Sequence, residues 1–334
     1  MTPLILGMSG EVLTADERAL FQDCRPAGYI VFKRNCIDPA QLLALTDSLR
    51  EISGEQVTIF IDQEGGRVAR LQPPHWPLFP AAARFGELYD RAPISAIEAC
   101  RVNALAIALT LRAVGINGDC LPLLDVPQPD GHGIIGDRAF ADQPMWISAL
   151  GKAQLDGLRA GGVCGVMKHI PGHGRARVDS HLDLPVVDAT AAELEVDLEP
   201  FRTLRAAAPM AMTAHVVYTA LDPERCATLS PIVIGETIRK DIGFDGLLMS
   251  DDLGMKALGG DFGSRARDAL AADCDIALHC SGDMAEMRAV VDAVGPIGAE
   301  AIRRLDAAIA WARPPEDRQI ADLIAKRDAL LALA

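Results

Sequence analysis

Eight short apolar runs recur along the chain, and segments with helical signals lie between them. The runs cover 4–8 (LILGM), 29–32 (YIVF), 57–62 (VTIFID), 116–125 (INGDCLPLLD), 165–169 (GVMKH), 211–215 (AMTAH), 246–251 (GLLMSD) and 275–280 (DIALHC). Runs this short and this apolar suit strands buried on both faces, and strands alternating with helices build a parallel sheet. Thr14 with Glu17, and Thr190 with Glu193, have capping-box spacing. Asp38-Pro39 opens a segment closed by Gly54, and an Ala-rich helix is expected from Pro93 to Val114, stopped by Gly115. Ser230-Pro231 and Asp283 open two further helical segments. Eight strands close a barrel, so the expected fold is α/β: a single (β/α)8 TIM-type barrel with its active site at the C-terminal ends of the strands. One catalytic domain is expected over 1–334, with a C-terminal helical extension near 297–334 broken at Pro314-Pro315. A doubly wound open sheet is the alternative, but its glycine-rich fingerprint is poorly matched by GMSGEVL after the first run.

Composition narrows the partners. The 32 Lys+Arg against 46 Asp+Glu leave a formal net charge of −14. No basic field exists to collect phosphates, which argues against nucleic acid and against anionic membrane surfaces as partners. No stretch of 18 or more apolar residues is free of charges. The start MTPLILGMSGE has no Lys or Arg before its short apolar run, so no secretory signal is expected. The eight cysteines are scattered without a CxxC pair, as expected of reduced core thiols in a cytoplasmic protein. A monomer is expected.

Polar residues end most of the runs, at the rim where a barrel keeps its chemistry: Asp62, Asp125, Lys168-His169, His215, Asp251-Asp252 and His279-Cys280. The densest segment is KHIPGHGRARVDSHLDLP, 168–185, which holds three of the chain's 7 histidines. A loop of that length in a compact barrel is usually functional or disordered. Two chemistries compete for it. In one, His169, His173, Asp179 and His181 ligate a metal, although HxH, HExxH and paired Cys/His motifs are absent. In the other, Asp179 orients His181, two residues away on the same side of an extended segment, and His181 transfers protons.

Five ordered motifs resemble the glycoside hydrolase family 3 β-N-acetylglucosaminidases of bacterial cell-wall recycling. They are IDQEGGRVARL (61–71), IIGDRAF (134–140), KHIPGHG with VDSHLDLP (168–185), MTAHVVY (212–218) and GFDGLLMSDDLGM (243–255). The resemblance implies a retaining exo-glycosidase that removes terminal non-reducing β-linked N-acetylglucosamine from peptidoglycan fragments, GlcNAc-anhydro-muropeptides, in the cytoplasm and without cofactor or metal. It places the nucleophile on Asp251 and the acid/base dyad on His181 with Asp179. It places sugar binding on Asp62, Arg70, Arg138, Lys168 and His169.

Plainer roles stand beside these. Alternation along a strand does not by itself choose between Asp251 and Asp252. Arg70 fits a surface charge, Arg138 a loop anchor on backbone carbonyls, and Lys168 an ion pair with Asp125 or Asp251. His173 fits a loop-shaping role and His215 a supporting one. Ile170 stands where members commonly have Phe. Aromatics are only 4% of the chain, so hydrogen bonds would have to dominate sugar binding, with Trp76, Trp146 and Trp311 away from the site. A metal-dependent barrel hydrolase using the 169–181 histidine loop, and a glycoside phosphorylase on the same fold, are the alternative functions.

Overall fold

The computed structural model describes residues 1–129, 131, 133–180 and 182–334. Eight parallel strands close into a barrel: β1 (Thr2–Gly7), β2 (Pro26–Val31), β3 (Thr58–Ile61), β4 (Gly118–Asp119), β5 (Cys164–Ile170), β6 (Met210–Thr213), β7 (Leu247–Asp252) and β8 (Ile276–His279). Each strand pairs with its neighbours in sequence, and β1 pairs with β8 to complete the ring. The barrel expectation therefore holds, and every run contributes a strand.

The fourth run is the exception in extent. The expected 116–125 strand pairs regularly only over Gly118–Asp119. Pro122 has no N–H to give to a ladder. Contact with β5 resumes irregularly beyond it, Lys168 N donating to Pro122 O (2.9 Å) and Leu124 N to Lys168 O (2.7 Å). Gly118 is bare for a reason, since a Cβ there would lie 2.4 Å from the Phe60 ring.

Alternation divides the strands into two faces. Ile5, Ile30, Phe60, Val166, Met210, Met212, Leu247, Met249, Ile276 and Leu278 fill the barrel interior as one cluster. Leu4, Leu6, Ile59, Ile61, Met167, Ala211, Leu248 and Ala277 face the helices. The same inward parity brings Phe32 and Asp62, just past their strand ends, and Lys168, within β5, to the mouth, where Asp251 of β7 joins them.

Helices cover the outer face. Thr14 and Thr190 form the expected capping boxes, and Asp38 and Asp283 cap their helices through side-chain oxygens. The Ala-rich helix spans Pro93–Arg112 and packs against Pro144–Ala160 on one side and Ile320–Leu331 on another. The segment after Ser230-Pro231 is helical but wound wide, as a π-helix over Val233–Asp241. Ser230 Oγ accepts from Val233 N at 3.0 Å. The chain ends in two helices, Ala299–Trp311 and Ile320–Leu331.

Candidate active site

The motif after β3 folds back as a tight hairpin in which Gln63–Gly65 pairs antiparallel with Val68–Ala69. The turn needs glycine. Gly65 has φ +93°, and a Cβ there would meet Pro80 O at 2.3 Å. The Gln63 side chain staples the returning strand: its Oε1 accepts from Arg70 N (2.9 Å) and Leu71 N (3.0 Å). Arg70 is thereby returned to Asp62, eight residues earlier, and its Nη2 donates to Asp62 Oδ2 at 2.8 Å.

The hairpin also delivers Glu64, which sequence reasoning passed over. Lys168, inward-facing from β5, donates to Asp62 Oδ1 (3.0 Å) and contacts Glu64 Oε1 at 2.6 Å. Arg138, presented by the short 3₁₀ turn Gly136–Arg138, grips Glu64 with two bonds, Nε to Oε2 at 2.9 Å and Nη2 to Oε1 at 2.8 Å. The result is an alternating chain: Arg70, Asp62, Lys168, Glu64, Arg138. Burial disfavours both carboxylates, but the neighbouring cations outweigh it. Lys168 and Arg70 hold Asp62 well below the usual carboxylate range, and Lys168 and Arg138 hold Glu64 at about 2. Burial would discharge Lys168, yet the two carboxylates hold its pKa above the usual lysine value. Lys168 therefore does not pair with Asp125 or Asp251, and Arg138 anchors on a carboxylate more than on carbonyls. Arg70 Nε is buried without a partner among the described residues, and its guanidinium lies 5.2 Å over the Phe32 ring.

Asp125, fully buried, organises the other wall. Its Oδ2 accepts from His169 Nδ1 at 2.7 Å, and its Oδ1 from the backbone N–H groups of His169 (3.1 Å) and His173 (2.7 Å). Burial resists the charge, but these histidines hold the carboxyl at about 2. His173 sits nearly buried with Nε2 3.1 Å from Ser180 Oγ. Its pKa is depressed to about 4, chiefly by burial and next by the neighbouring His169.

The two acids of β7 separate by environment. Leu247 and Met249 point into the barrel, and a bulge in β7 between Met249 and Asp252 brings both acids to the border of the same cavity. Asp251 Oδ1 accepts from Asp252 N at 2.8 Å. Asp252 instead commits Oδ1 to two backbone donors, Gly254 N (2.9 Å) and Cys280 N (3.0 Å). His215 supports the same strand end. The Asp252 carbonyl can only accept, so His215 Nε2–H donates to it at 3.0 Å, and Nδ1 accepts from the Thr228 hydroxyl at 2.7 Å. Complete burial lowers the His215 pKa against the opposing charge of Asp251, keeping the ring neutral.

Most of these groups, Asp252 among them but not Asp125 or His215, line one cavity of about 240 Å³ at the C-terminal mouth. Asp62, Arg70, Arg138, Lys168, His169 and Asp251 all border it, as do Glu64, His173, Ser180 and Phe32. Asp179 is half-buried in the loop after β5, one residue from the cavity-lining Ser180. His181 lies outside the described residues. Trp76, Trp146 and Trp311 do not border the cavity. Among the described residues no group of three His, Cys, Asp or Glu side chains is placed to hold a metal ion. His169 Nδ1 and His173 Nε2 are engaged by Asp125 and Ser180.

A closed mouth lined by a carboxylate opposite alternating cations and anions suits a small polyhydroxylated ligand, whose hydroxyls both donate and accept. Comparison with known proteins agrees. The profile described as Glycosyl hydrolase family 3 N terminal domain matches residues 6–310. The chain belongs to glycosyl hydrolase family 3. It is a glycoside hydrolase whose curated relatives are β-hexosaminidases. The β-hexosaminidase of Alkalilimnicola ehrlichii is 40% identical over 286 residues, covering 84% of this chain and 80% of the relative. That of Bordetella avium is 35% identical over 325 residues, covering 96% and 92%. Among solved structures, NagZ from Neisseria gonorrhoeae in complex with N-trifluoroacetyl-D-glucosamine superposes with a TM-score of 0.89 at 30% identity, covering 100% of this chain and 98% of that one.

Proposed function

We propose that this family 3 enzyme is a retaining exo-β-N-acetylglucosaminidase acting on terminal non-reducing β-linked GlcNAc of peptidoglycan fragments, GlcNAc-anhydro-muropeptides, in the cytoplasm. The observation that carries the reading is Asp251 lining one cavity with the chain Arg70–Asp62–Lys168–Glu64–Arg138. The names of the curated relatives and the N-acylglucosamine bound by the gonococcal NagZ support the sugar class. The small cavity suits one terminal ring.

In this mechanism the ring hydroxyls bind Asp62, Arg70, Arg138, Lys168 and His169. Lys168 has three N–H groups and spends two on carboxylates, leaving one for the sugar. Asp125 accepts the Nδ1–H bond of His169, which leaves Nε2 for the ligand. Asp251 attacks the anomeric carbon through the oxygen not held by Asp252 N, and the glycosidic C–O bond breaks. His181, charged and steadied by Asp179, gives its proton to the leaving oxygen. The neutral imidazole then takes a proton from water, which attacks the same carbon and frees Asp251. Two inversions retain configuration.

The test is covalent trapping with an activated fluorinated N-acetylglucosamine glycoside, followed by mass mapping. The reading predicts a sugar adduct on Asp251, absent from Asp251→Asn. An adduct on another residue, or an oxazoline product with no adduct, would refute it.

A further inference from the structure

The loop that follows β5 leaves the barrel at His169 and returns near Leu184. Its root is fixed: His173 N donates to the buried Asp125 at 2.7 Å, and Gly174 lies so close to Val126 O that a Cβ there would stand 1.9 Å from it. Ser180 lies much further along the loop, yet it is only 4% exposed. Two contacts hold it. Its hydroxyl meets His173 Nε2 at 3.1 Å, and its carbonyl accepts from Ala257 N at 3.3 Å. Ala257 belongs to the turn that follows β7, which carries Asp251. Ser180 is therefore clasped between the loop root and the turn behind the nucleophile strand.

The proton on the clasp can be assigned. His173 Nδ1 is buried and has no partner among the described residues. Burying a bare lone pair costs less than burying an orphaned N–H, so the proton resides on Nε2 and is donated to Ser180 Oγ. The ring's depressed pKa keeps it neutral, so this tautomer persists across the neutral range.

Ser180 stands between Asp179 and His181 in the chain. We propose that His173 and Ser180 form a catch that fixes Ser180 at the cavity border, making it a positioning residue for proton transfer by the dyad residues on either side of it in the chain. The inference rests on the dyad reading given above. Without the catch, Ser180 loses its side-chain bond to the loop root, and the acid spends less time in reach of the leaving oxygen.

A leaving-group series tests this on the intact enzyme. For aryl β-N-acetylglucosaminides, kcat/KM reports the first bond-breaking step, and a dinitrophenolate leaves with little protonation whereas an unsubstituted phenol needs it. For Ser180→Ala we expect a loss of about tenfold or more with the poor leaving groups and under about threefold with dinitrophenyl, a steeper Brønsted slope than wild type. His173→Phe keeps the bulk and removes the donor, and should steepen the slope in the same way. Ser180→Thr keeps the hydroxyl and should restore the wild-type slope. His181→Ala sets the limiting slope. Equal losses across the series in Ser180→Ala and His173→Phe, beside a steep His181→Ala, would overturn the catch and leave the dyad standing. A flat series in His181→Ala itself would overturn the dyad reading and the catch with it.

Discussion

Replacing Glu64 by Gln removes one charge from the middle of the ion chain and almost no volume. In the wild type Glu64 receives Lys168 at 2.6 Å and Arg138 through two bonds at 2.8 and 2.9 Å. The variant leaves Lys168 with Asp62 as its carboxylate partner, and gives Arg138 a neutral amide in place of the carboxylate it grips with two bonds. Two routes give the size of the loss. Glu64 falls from the ordinary 4.5 to about 2 in the folded protein, which by linkage is roughly 3 kcal/mol at neutral pH. Breaking a buried pair by removing one partner costs about 3–5 kcal/mol. The two agree, so urea unfolding at pH 7 should show Glu64→Gln less stable by roughly 3 kcal/mol. The sign with pH follows from a depressed carboxylate. Its contribution is complete above 4.5 and is lost as pH falls toward 2. The gap between wild type and variant should therefore shrink to roughly 1.5 kcal/mol by pH 3. Because Lys168 and Arg138 bind the sugar in the mechanism proposed, KM should rise and kcat/KM should fall about tenfold to a hundredfold. A variant within about 0.5 kcal/mol of wild type at pH 7, or a gap that does not close in acid, would refute the reasoning.

Three further outcomes follow from the same geometry. Asp252→Ala strips the partner from Gly254 N and Cys280 N and should cost about 1–3 kcal/mol in urea unfolding while retaining far more activity than any Asp251 substitution. Gly65→Ala forces a side chain into a φ of +93° against Pro80 O, and should lower stability by about 1–3 kcal/mol and raise KM as Arg70 leaves Asp62. In acid, two shifts oppose each other. His173, depressed from 6.5 to about 4, loses its contribution as pH falls through that window. Asp197 is raised from 3.8 to about 6, mainly by burial and against its bond to Arg175, so the folded state binds its proton first and gains as pH falls from 6 to 4. Each is worth roughly 3 kcal/mol, so these two nearly cancel between about pH 4 and 6, and stability falls further as Asp125 and Glu64 protonate. His173→Phe should gain stability relative to wild type as pH falls from 6 to 4, by roughly 3 kcal/mol, and a difference that stays constant there would count against the assignment.

The barrel was legible because its signal is repetitive. Each apolar run is buried on both faces, and helix caps such as Thr14 and Asp38 stand between runs. The rim residues were legible by position and by family resemblance, and Asp62, Arg70, Arg138, Lys168, His169 and Asp251 do meet in one cavity. What stayed hidden needed three dimensions. Glu64 lies three residues beyond the end of β3, and only the Gly65-Gly66 hairpin turns it onto Lys168 and Arg138. The glycine pair was the available signal for that turn. Asp125 read as a strand end and proves to hold both His169 and the loop root. Alternation could not separate Asp251 from Asp252, because a bulge in β7 brings both to the cavity, and only the folded turn shows Asp252 Oδ1 committed to Gly254 N and Cys280 N. The fourth run was overread because its apolar composition hid the effect of Pro122 on pairing.

The central claim is that Asp251, fixed at the barrel mouth opposite the ion chain, cleaves a terminal β-N-acetylglucosaminide. The most direct measurement is nitrophenol release from p-nitrophenyl β-N-acetylglucosaminide by wild type and by Asp251→Ala, both with EDTA present and both shown to be folded. The account predicts turnover by wild type that persists in EDTA and a loss of at least about a thousandfold in the variant. A wild type without activity on this glycoside, or a variant that retains it, would contradict the account.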